Sequence, residues 1–344
     1  MTLKRNIRRV LLLGGLTLLL VVGLLILFFG RTTSPPLPNP NGYTDLLQAG
    51  KAVSGNLDGL AQRDRDGLRE LVATNAKPLR LLRVGLSREC SVPTDAVIAN
   101  FAAVATDLPA LKSLARLLDA EGRLAEMENR PTDAAQSYVD SIRLGSKMCR
   151  GGMMINRLVG IACEGMGRTS FLKLLPRLTC EQIRPLIEQL EQIDAQSVTW
   201  KEVLRNENRY ARAQMRNFPN PIAFVSAWWL GRDMRKSCEQ KHNLAMARIR
   251  LLTVELALRS SRCDEGKVSA DLQRLLPKYL HRIPTDPFTG RQLVYKQTGT
   301  NWLLYSVGPD RVDNGGKPLD KAISGYNTLD GQKRKGDVFF DSPW

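Results

Sequence analysis

The chain has 344 residues, of which 43% are hydrophobic, and its 50 lysines and arginines outnumber 34 aspartates and glutamates, for a net charge of +16. This apolar content excludes an intrinsically disordered chain, and the length predicts two compact regions. The chain has only two histidines, His242 and His281, and neither stands at a metal-binding spacing from another ligand, so a zinc site is not expected.

The amino-terminal region has the pattern of a membrane anchor. Residues 1–9 include four basic side chains, and residues 10–29 contain no charge. A helix of this length, at about 1.5 Å per residue, crosses a bilayer core of roughly 30 Å. The absence of a small-residue cleavage site favours an uncleaved signal anchor over a cleaved signal peptide. The basic flank predicts a single-pass protein of a bacterial inner membrane, with a cytoplasmic amino terminus and membrane lipid as a partner.

Residues 30–42 contain four prolines and are predicted to be an extended linker. The bulk of the chain would then lie in the periplasm, where disulfides form. Six cysteines permit 15 full pairings, so the sequence leaves their connectivity open, and buried unpaired cysteines are an equal alternative. They are Cys90, Cys149, Cys163, Cys180, Cys238 and Cys263.

Residues 43–243 have helical periodicity, with apolar residues three and four apart. Residues 108–147 predict two antiparallel helices joined at the sequence NRPTD, with Pro131 in the first turn and Thr132 or Asp133 as cap. This hairpin weakly resembles a tetratricopeptide repeat at Leu118, Gly122, Ala125, Ala134 and Tyr138. A repeat-like helical bundle that docks a protein partner is one interpretation, and an irregular bundle without a binding groove is the other.

Residues 201–262 carry thirteen basic and five acidic side chains. Arg205, Arg209, Arg212 and Arg216 are spaced four, three and four apart, which predicts one basic face of a helix. Such a face could bind an anionic polymer or an anionic lipid surface, or it could be solvated and ion-paired within the fold.

Trp228 and Trp229 lie between two basic stretches, in an apolar run too short to span a bilayer. They are predicted either to rest at the membrane interface or to pack into the helical core.

Residues 244–344 predict a long helix followed by a small antiparallel β-sheet, so that the fold class is α+β. The runs RQLVYKQ and NWLLYSV are predicted to pair through the turn TGT, and GDVFFD is predicted as a third strand. The segment IPTDPFTG, with two prolines and a glycine, predicts an ordered loop.

In their order, LLPKYLHRIPTDPFTG, LVY and LLYSVGPDRVDNGG followed by GDV resemble the globular part of the G-type major pseudopilin of type II secretion, over about residues 244–340. The resemblance implies a pseudopilin-like module whose final loop binds calcium. By motif match Asp310 and Asp337 would be ligands, with Asp313 as an additional one. The last 44 residues hold six aspartates and no glutamate, and calcium prefers oxygen ligands. A turn-forming loop without metal, ion-paired to Lys317 or Arg311, is the alternative.

The whole chain resembles planctomycete-type membrane-anchored proteins of unknown function, which implies a location and a domain order. We therefore expect a non-enzymatic envelope protein of interaction or scaffolding type, linked to secretion. The first alternative is a module that binds anionic polymers or membrane surfaces. The second is an enzyme acting on envelope polymers, since paired carboxylates leave no sequence signature. Nucleic acid is not favoured as a partner.

Overall fold

The computed structural model describes residue 15 and residues 35–217, 221–320 and 334–342. The described helices are α1 (Gly42–Lys51), α2 (Arg65–Thr74), α3 (Ala76–Ser87), α4 (Thr94–Ala99), α5 (Val104–Met127), α6 (Pro131–Lys147), α7 (Met154–Leu174), α8 (Cys180–Gln196), α9 (Trp200–Asn217) and α10 (Pro221–Glu265). The strands β1 (Val294–Thr298) and β2 (Asn301–Tyr305) form an antiparallel sheet. The predicted α+β class is confirmed in this coarse sense.

The predicted membrane anchor, residues 10–29, lies outside the described residues except for Gly15. Among the helices that the structure describes, none combines the length and the apolar character needed to cross a bilayer. The topology of the chain therefore stays a prediction.

The predicted helical hairpin is present as α5 and α6. The ring of Tyr138 on α6 lies over Gly122 on α5, where an added Cβ would approach Cε1 of the ring to 2.3 Å. Leu118, Ala125 and Ala134 are also buried, as the spacing of small and apolar residues predicted. The hairpin is held together by close backbone approach as well as by apolar burial.

The predicted cap of α6 is wrong. Pro131 begins the helix, but no side chain caps it. Thr132 accepts a hydrogen bond from Gln182 on α8, and Asp133 pairs with Arg130 at 2.5 Å. Thr132 is engaged by a residue 50 positions away and Asp133 by a neighbouring arginine, so neither side chain caps the helix.

Helix α6 crosses α7 at two glycines. A Cβ added to Gly145 would lie 2.4 Å from the carbonyl oxygen of Gly160, and the reverse substitution gives the same distance. Only hydrogen at these two positions lets the backbones touch. This crossing fixes α7 in the centre of the bundle, where it packs against α5, α6 and α10.

Two large hydrophobic clusters stabilise the described chain. One joins α1, α3, the first half of α5 and the beginning of α7, with Leu46, Leu82 and Leu111 fully buried. The other joins α6, the end of α7, α8, the second half of α10 and the carboxy-terminal module, including Leu304 and Val338. Helix α10 runs without a break across positions 243 and 244, where the two predicted domains meet.

The predicted strand pair is confirmed, with Val294 opposite Tyr305 and Thr298 opposite Asn301. The predicted third strand is wrong. The segment from residue 336 makes only isolated bridges, because consecutive residues pair with two different segments: Val338 with Ser306 in the antiparallel sense and Asp337 with Pro318 in the parallel sense. The predicted loop at residues 283–290 is ordered around Asp286, which accepts hydrogen bonds from the amides of Phe288 and Val307.

One disulfide, Cys180–Cys263, joins the start of α8 to the end of α10. The other four cysteines are unpaired and buried. Two of the six cysteines thus form a disulfide, and the other four are buried and unpaired, so each of the two interpretations applies to part of the set.

Candidate functional site

The three predicted calcium ligands lie in one loop region beyond β2. The chain turns through Gly308, Arg311, Gly315 and Gly316, all at positive φ, and then returns beside the segment that carries Asp337. The structure thus brings Asp310, Asp313 and Asp337 into the same region. We use the name acidic loop for the turn at residues 308–316 together with Asp337 beside it, which between them carry these three aspartates.

Backbone amides donate hydrogen bonds to the carboxylates of the acidic loop. Asp337 is fully buried and accepts hydrogen bonds from the amides of Asn314 at 3.2 Å and Gly316 at 2.7 Å. Asp310 accepts from the amide of Val312 and from the side-chain amide of Asn314, both at 3.1 Å. Asn314 therefore links the two aspartates, and the carboxylates hold the loop in its fold.

The third aspartate is bound to the sheet. Asp313 accepts a hydrogen bond from the hydroxyl of Tyr305 at 2.7 Å and from the amide of Gly315 at 2.8 Å. The tyrosine hydroxyl and then the amide hold the pKa of Asp313 below its usual value. Burial raises the pKa of Asp337, and the two amide hydrogen bonds oppose this. The pKa values of the two carboxylates are thus shifted in opposite directions, because Asp337 is buried.

The oxygen ligands of the acidic loop are of the type that calcium prefers. Within the described ranges, no three histidine, cysteine, aspartate or glutamate side chains are grouped in a way that could hold a metal ion. The carboxylates of Asp310, Asp313 and Asp337 all accept hydrogen bonds from protein groups, which are amides and the hydroxyl of Tyr305. The calcium site stays a prediction.

The four predicted surface arginines belong to α9. Arg205 is exposed, whereas Arg209 and Arg212 are half-buried. The side chain of Arg216 lies outside the described part of the structure, and so do the side chains of Trp228 and Trp229, whose backbone is helical in α10. All four positions lie on one continuous helix. Binding to an anionic surface stays a prediction.

A buried polar cluster, which sequence reasoning missed, lies where α7 meets α10. Arg157 makes two hydrogen bonds to Glu164, at 2.5 and 3.2 Å, and its Nε donates to Nδ1 of His242 at 2.9 Å. Each of the three side chains is at most 3% exposed. Burial, and next the charge of Arg157, lower the pKa of His242 to about 3. The histidine is therefore neutral at any physiological pH, and it accepts a hydrogen bond.

No local signal could have found this cluster, because Arg157 and His242 are 85 residues apart. Arg157 and Glu164 are seven residues apart on one helix, a spacing that places them on the same face two turns apart. The second histidine, His281, is exposed and lies 2.7 Å from Glu191.

Clefts open between helices in the described part of the chain, and two of them have charged linings. The first, which we call the α7 cleft, has a volume of about 590 Å³ and lies between α5, α7 and α10. Its floor includes Leu158, Ile161 and Met166, and its charged side chains are Asp119, Arg123, Lys173 and Lys241. The floor is mostly apolar, and basic side chains outnumber the single acid.

The second cleft, of about 470 Å³, lies between α3, α6 and α8. Its basic side chains already have partners in the fold: Arg143 donates to Asp140 at 2.7 Å, and Lys147 donates to the carbonyl of Arg88 at 2.7 Å. Burial raises the pKa of Asp140 against the opposing charge of Arg143. These two basic side chains of the second cleft are thus already hydrogen-bonded within the protein.

Comparison with known proteins gave no match of any kind: no family model, no curated protein and no solved structure is similar to this chain. The function is therefore argued from the residues and their geometry.

Proposed function

We propose that the chain is a single-pass, membrane-anchored protein of the bacterial envelope that docks a protein partner and acts as a scaffold, with a link to secretion. The sequence of residues 1–42 supports the anchor and the periplasmic position. The disulfide between Cys180 and Cys263 supports the same compartment, since disulfides persist in oxidising environments.

The observation that carries the scaffold role is the attachment of the carboxy-terminal module to the helices. Arg168 on α7 donates to the carbonyl oxygens of Phe340 at 2.7 Å and Ser342 at 3.1 Å. From the sheet, Trp302 donates to Glu255 on α10 at 2.8 Å. A body with a shared core presents fixed surfaces, which lowers the entropy cost of docking a partner.

Calcium is part of this proposal as a ligand of the acidic loop. Asp310, Asp313 and Asp337 would hold it, and bound calcium would supply positive charge between carboxylates that otherwise repel one another. The test is thermal unfolding of the full chain in calcium and in a chelator. We expect calcium to raise the midpoint of the native chain and not that of Asp310→Ala. No shift in the native chain removes calcium from the proposal.

The scaffold role is tested by photo-crosslinking in the cells that make the protein. A photoreactive amino acid replaces one exposed apolar residue at a time, at Val84, Met127, Met234 or Val312, all at least 39% exposed. We expect a discrete adduct with another envelope protein from at least one position. Absence of adducts from all four positions, in a chain that accumulates normally, overturns the scaffold role.

The second candidate is binding of an anionic polymer or lipid surface, favoured by the helical spacing of Arg205 and Arg212 on α9. Binding of this kind weakens as salt rises. We expect the full chain in neutral nanodiscs to bind acidic polysaccharide at low salt, and Arg205→Ala with Arg212→Ala to bind more weakly. The control pair, Arg65→Ala with Arg80→Ala, removes the same charge from exposed positions outside α9. Equal loss in both pairs overturns a specific role for α9.

A further inference from the structure

The α7 cleft has a length and a charge distribution that suit a helix. Its lining runs along α7 from Leu158 to Lys173, fifteen positions that cover roughly 22 Å at about 1.5 Å per residue. Leu158, Ala162, Met166 and Thr169 follow one another at helical spacing along this face. Helices α5 and α10 contribute the remaining lining, so the cleft is an open groove with a helix as its floor.

Basic side chains stand at both ends of this groove. Lys241 directly precedes His242, whose ring accepts a hydrogen bond from Arg157, so Lys241 lies at the Leu158 end of the groove. Lys173 lies at the other end. Both lysines are exposed.

The single acid of the groove is already paired. Asp119 accepts from Nε of Arg123 at 2.7 Å and from the hydroxyl of Ser170 at 2.5 Å. With Asp119 and Arg123 neutralising each other, Lys173 and Lys241 give the groove its net positive charge. An occupant with acidic groups about 20 Å apart and an apolar centre complements it.

We propose that the α7 cleft binds an acidic amphipathic helix of a partner protein, with carboxylates at both ends of the helix and an apolar face between them. An amphipathic helix placed in a groove is a common mode of peptide recognition, with anchors at i, i+3, i+4 and i+7. A lipid anion has one charged end and meets only one of the two lysines. This inference rests on the proposed scaffold function and names the docking surface and the chemistry of the partner.

The test uses the full chain in nanodiscs of zwitterionic lipid and a fluorescent helical peptide of about five turns, or roughly 27 Å. The peptide carries glutamates in its first and last turns and leucine and alanine on one face. A second peptide has lysine in place of each glutamate. We expect the acidic peptide to bind and the basic peptide not to bind, in fluorescence anisotropy at low salt.

Variants of the chain locate the binding. Lys173→Glu with Lys241→Glu should weaken binding of the acidic peptide about ten-fold or more, because two attractions become repulsions. Lys77→Glu with Lys267→Glu changes the charge equally at exposed positions outside the cleft and should have little effect. Ala162→Trp, which fills the floor without changing charge, should also abolish binding. Absence of binding by the acidic peptide, or equal weakening by the control pair, overturns the inference.

Two further outcomes separate this inference from the function on which it rests. A photoreactive residue at Thr169, exposed in the cleft, should give the same adduct as one of the four scaffold positions. Adducts at those positions without one at Thr169 overturn the cleft and leave the scaffold role standing. Tighter binding of a long-chain fatty acid than of the acidic peptide, lost in Ala162→Trp, makes the cleft a lipid site and also overturns the inference.

Discussion

Nε of Arg157 donates a hydrogen bond to Nδ1 of His242 across 2.9 Å, in the interior between α7 and α10. The guanidinium is held in turn by Glu164, so a buried charge and a neutral imidazole share one site. The arrangement is satisfied only while His242 lacks its second proton. Protonation of His242 at low pH would therefore break a hydrogen bond in the core of the helical body.

Stability should fall as the pH drops below the histidine's unfolded value of 6.5, because the unfolded chain binds a proton that the folded chain binds only near pH 3. A group shifted in this way removes about 1.4 kcal/mol by pH 5.5. The measurement is the urea midpoint between pH 7 and 5.5. His242→Gln, whose amide oxygen accepts from Arg157, should show a flatter profile.

The other histidine is the control for this profile. Its hydrogen bond with Glu191, followed by the charge of Glu191, raises the pKa of the exposed His281. That group therefore stabilises the fold at low pH and loses this effect as pH rises, the opposite sign. His281→Gln should leave the fall below pH 6.5 in place. A native profile that is flat from pH 7 to 5.5 contradicts the assignment to His242.

The buried ion pair should be far more sensitive than exposed pairs. Glu164→Gln leaves Arg157 charged and buried, and loss of one partner in such a pair costs about 3–5 kcal/mol of unfolding free energy. Asp66→Asn breaks an exposed pair with Arg69, whose side chains are 78% and 51% exposed, respectively, and should change stability by less than about 0.5 kcal/mol. Similar losses of unfolding free energy in the two variants would contradict this prediction, because they would show that another group stabilises the charge of Arg157.

Much of the architecture could be predicted from local patterns. The α5–α6 hairpin follows from apolar spacing and from Pro131, and the β1–β2 hairpin follows from alternation around a glycine turn. The absence of a cap at Thr132, the absence of a third strand and the presence of the buried cluster could not be predicted in this way. Each depends on partners more than twenty positions away: Gln182 for Thr132, Ser306 for Val338 and His242 for Arg157. Long-range competition of this kind overrides local propensity.

The candidate sites divide in the same manner. The three aspartates of the acidic loop could be named from sequence because they match the motif of the pseudopilin ending, and Asp310 and Asp313 also come shortly after β2. The α7 cleft is formed by side chains of three helices, from Asp119 to Lys241. Its charged ends are visible only once those helices are assembled.

The glycine beneath Tyr138 should resist substitution. In Gly122→Ala the new Cβ meets the ring at 2.3 Å, and such overpacking costs about 1–3 kcal/mol. Gly231→Ala is the matched change in a helix, because among the described residues its Cβ would lie nearest to the guanidinium end of the long Arg235 side chain, at 2.9 Å, and not against a ring or a backbone. That variant should gain up to about 1 kcal/mol from helix propensity. Chemical denaturation of both variants checks the prediction, and destabilisation by Gly231→Ala alone would contradict it.

Removing the disulfide should lower stability substantially. The bond joins residues separated by 83 positions, and a loop of this size restricts the unfolded chain by about 4 kcal/mol. The double variant Cys180→Ala with Cys263→Ala should unfold at a lower temperature, and reducing agent should lower the midpoint of the native chain to a similar value. Titration of the denatured, unreduced protein should find four free thiols. Six free thiols would contradict the pairing.

The same bond has a consequence for limited proteolysis. The basic helix α9, the tryptophan pair and the first half of α10 all lie between Cys180 and Cys263, inside a covalent ring. A single cut anywhere in that ring opens it without releasing either piece. The nicked protein would migrate as one band until a reductant separates it into two, so its integrity is read correctly only when reduced and unreduced samples are run side by side.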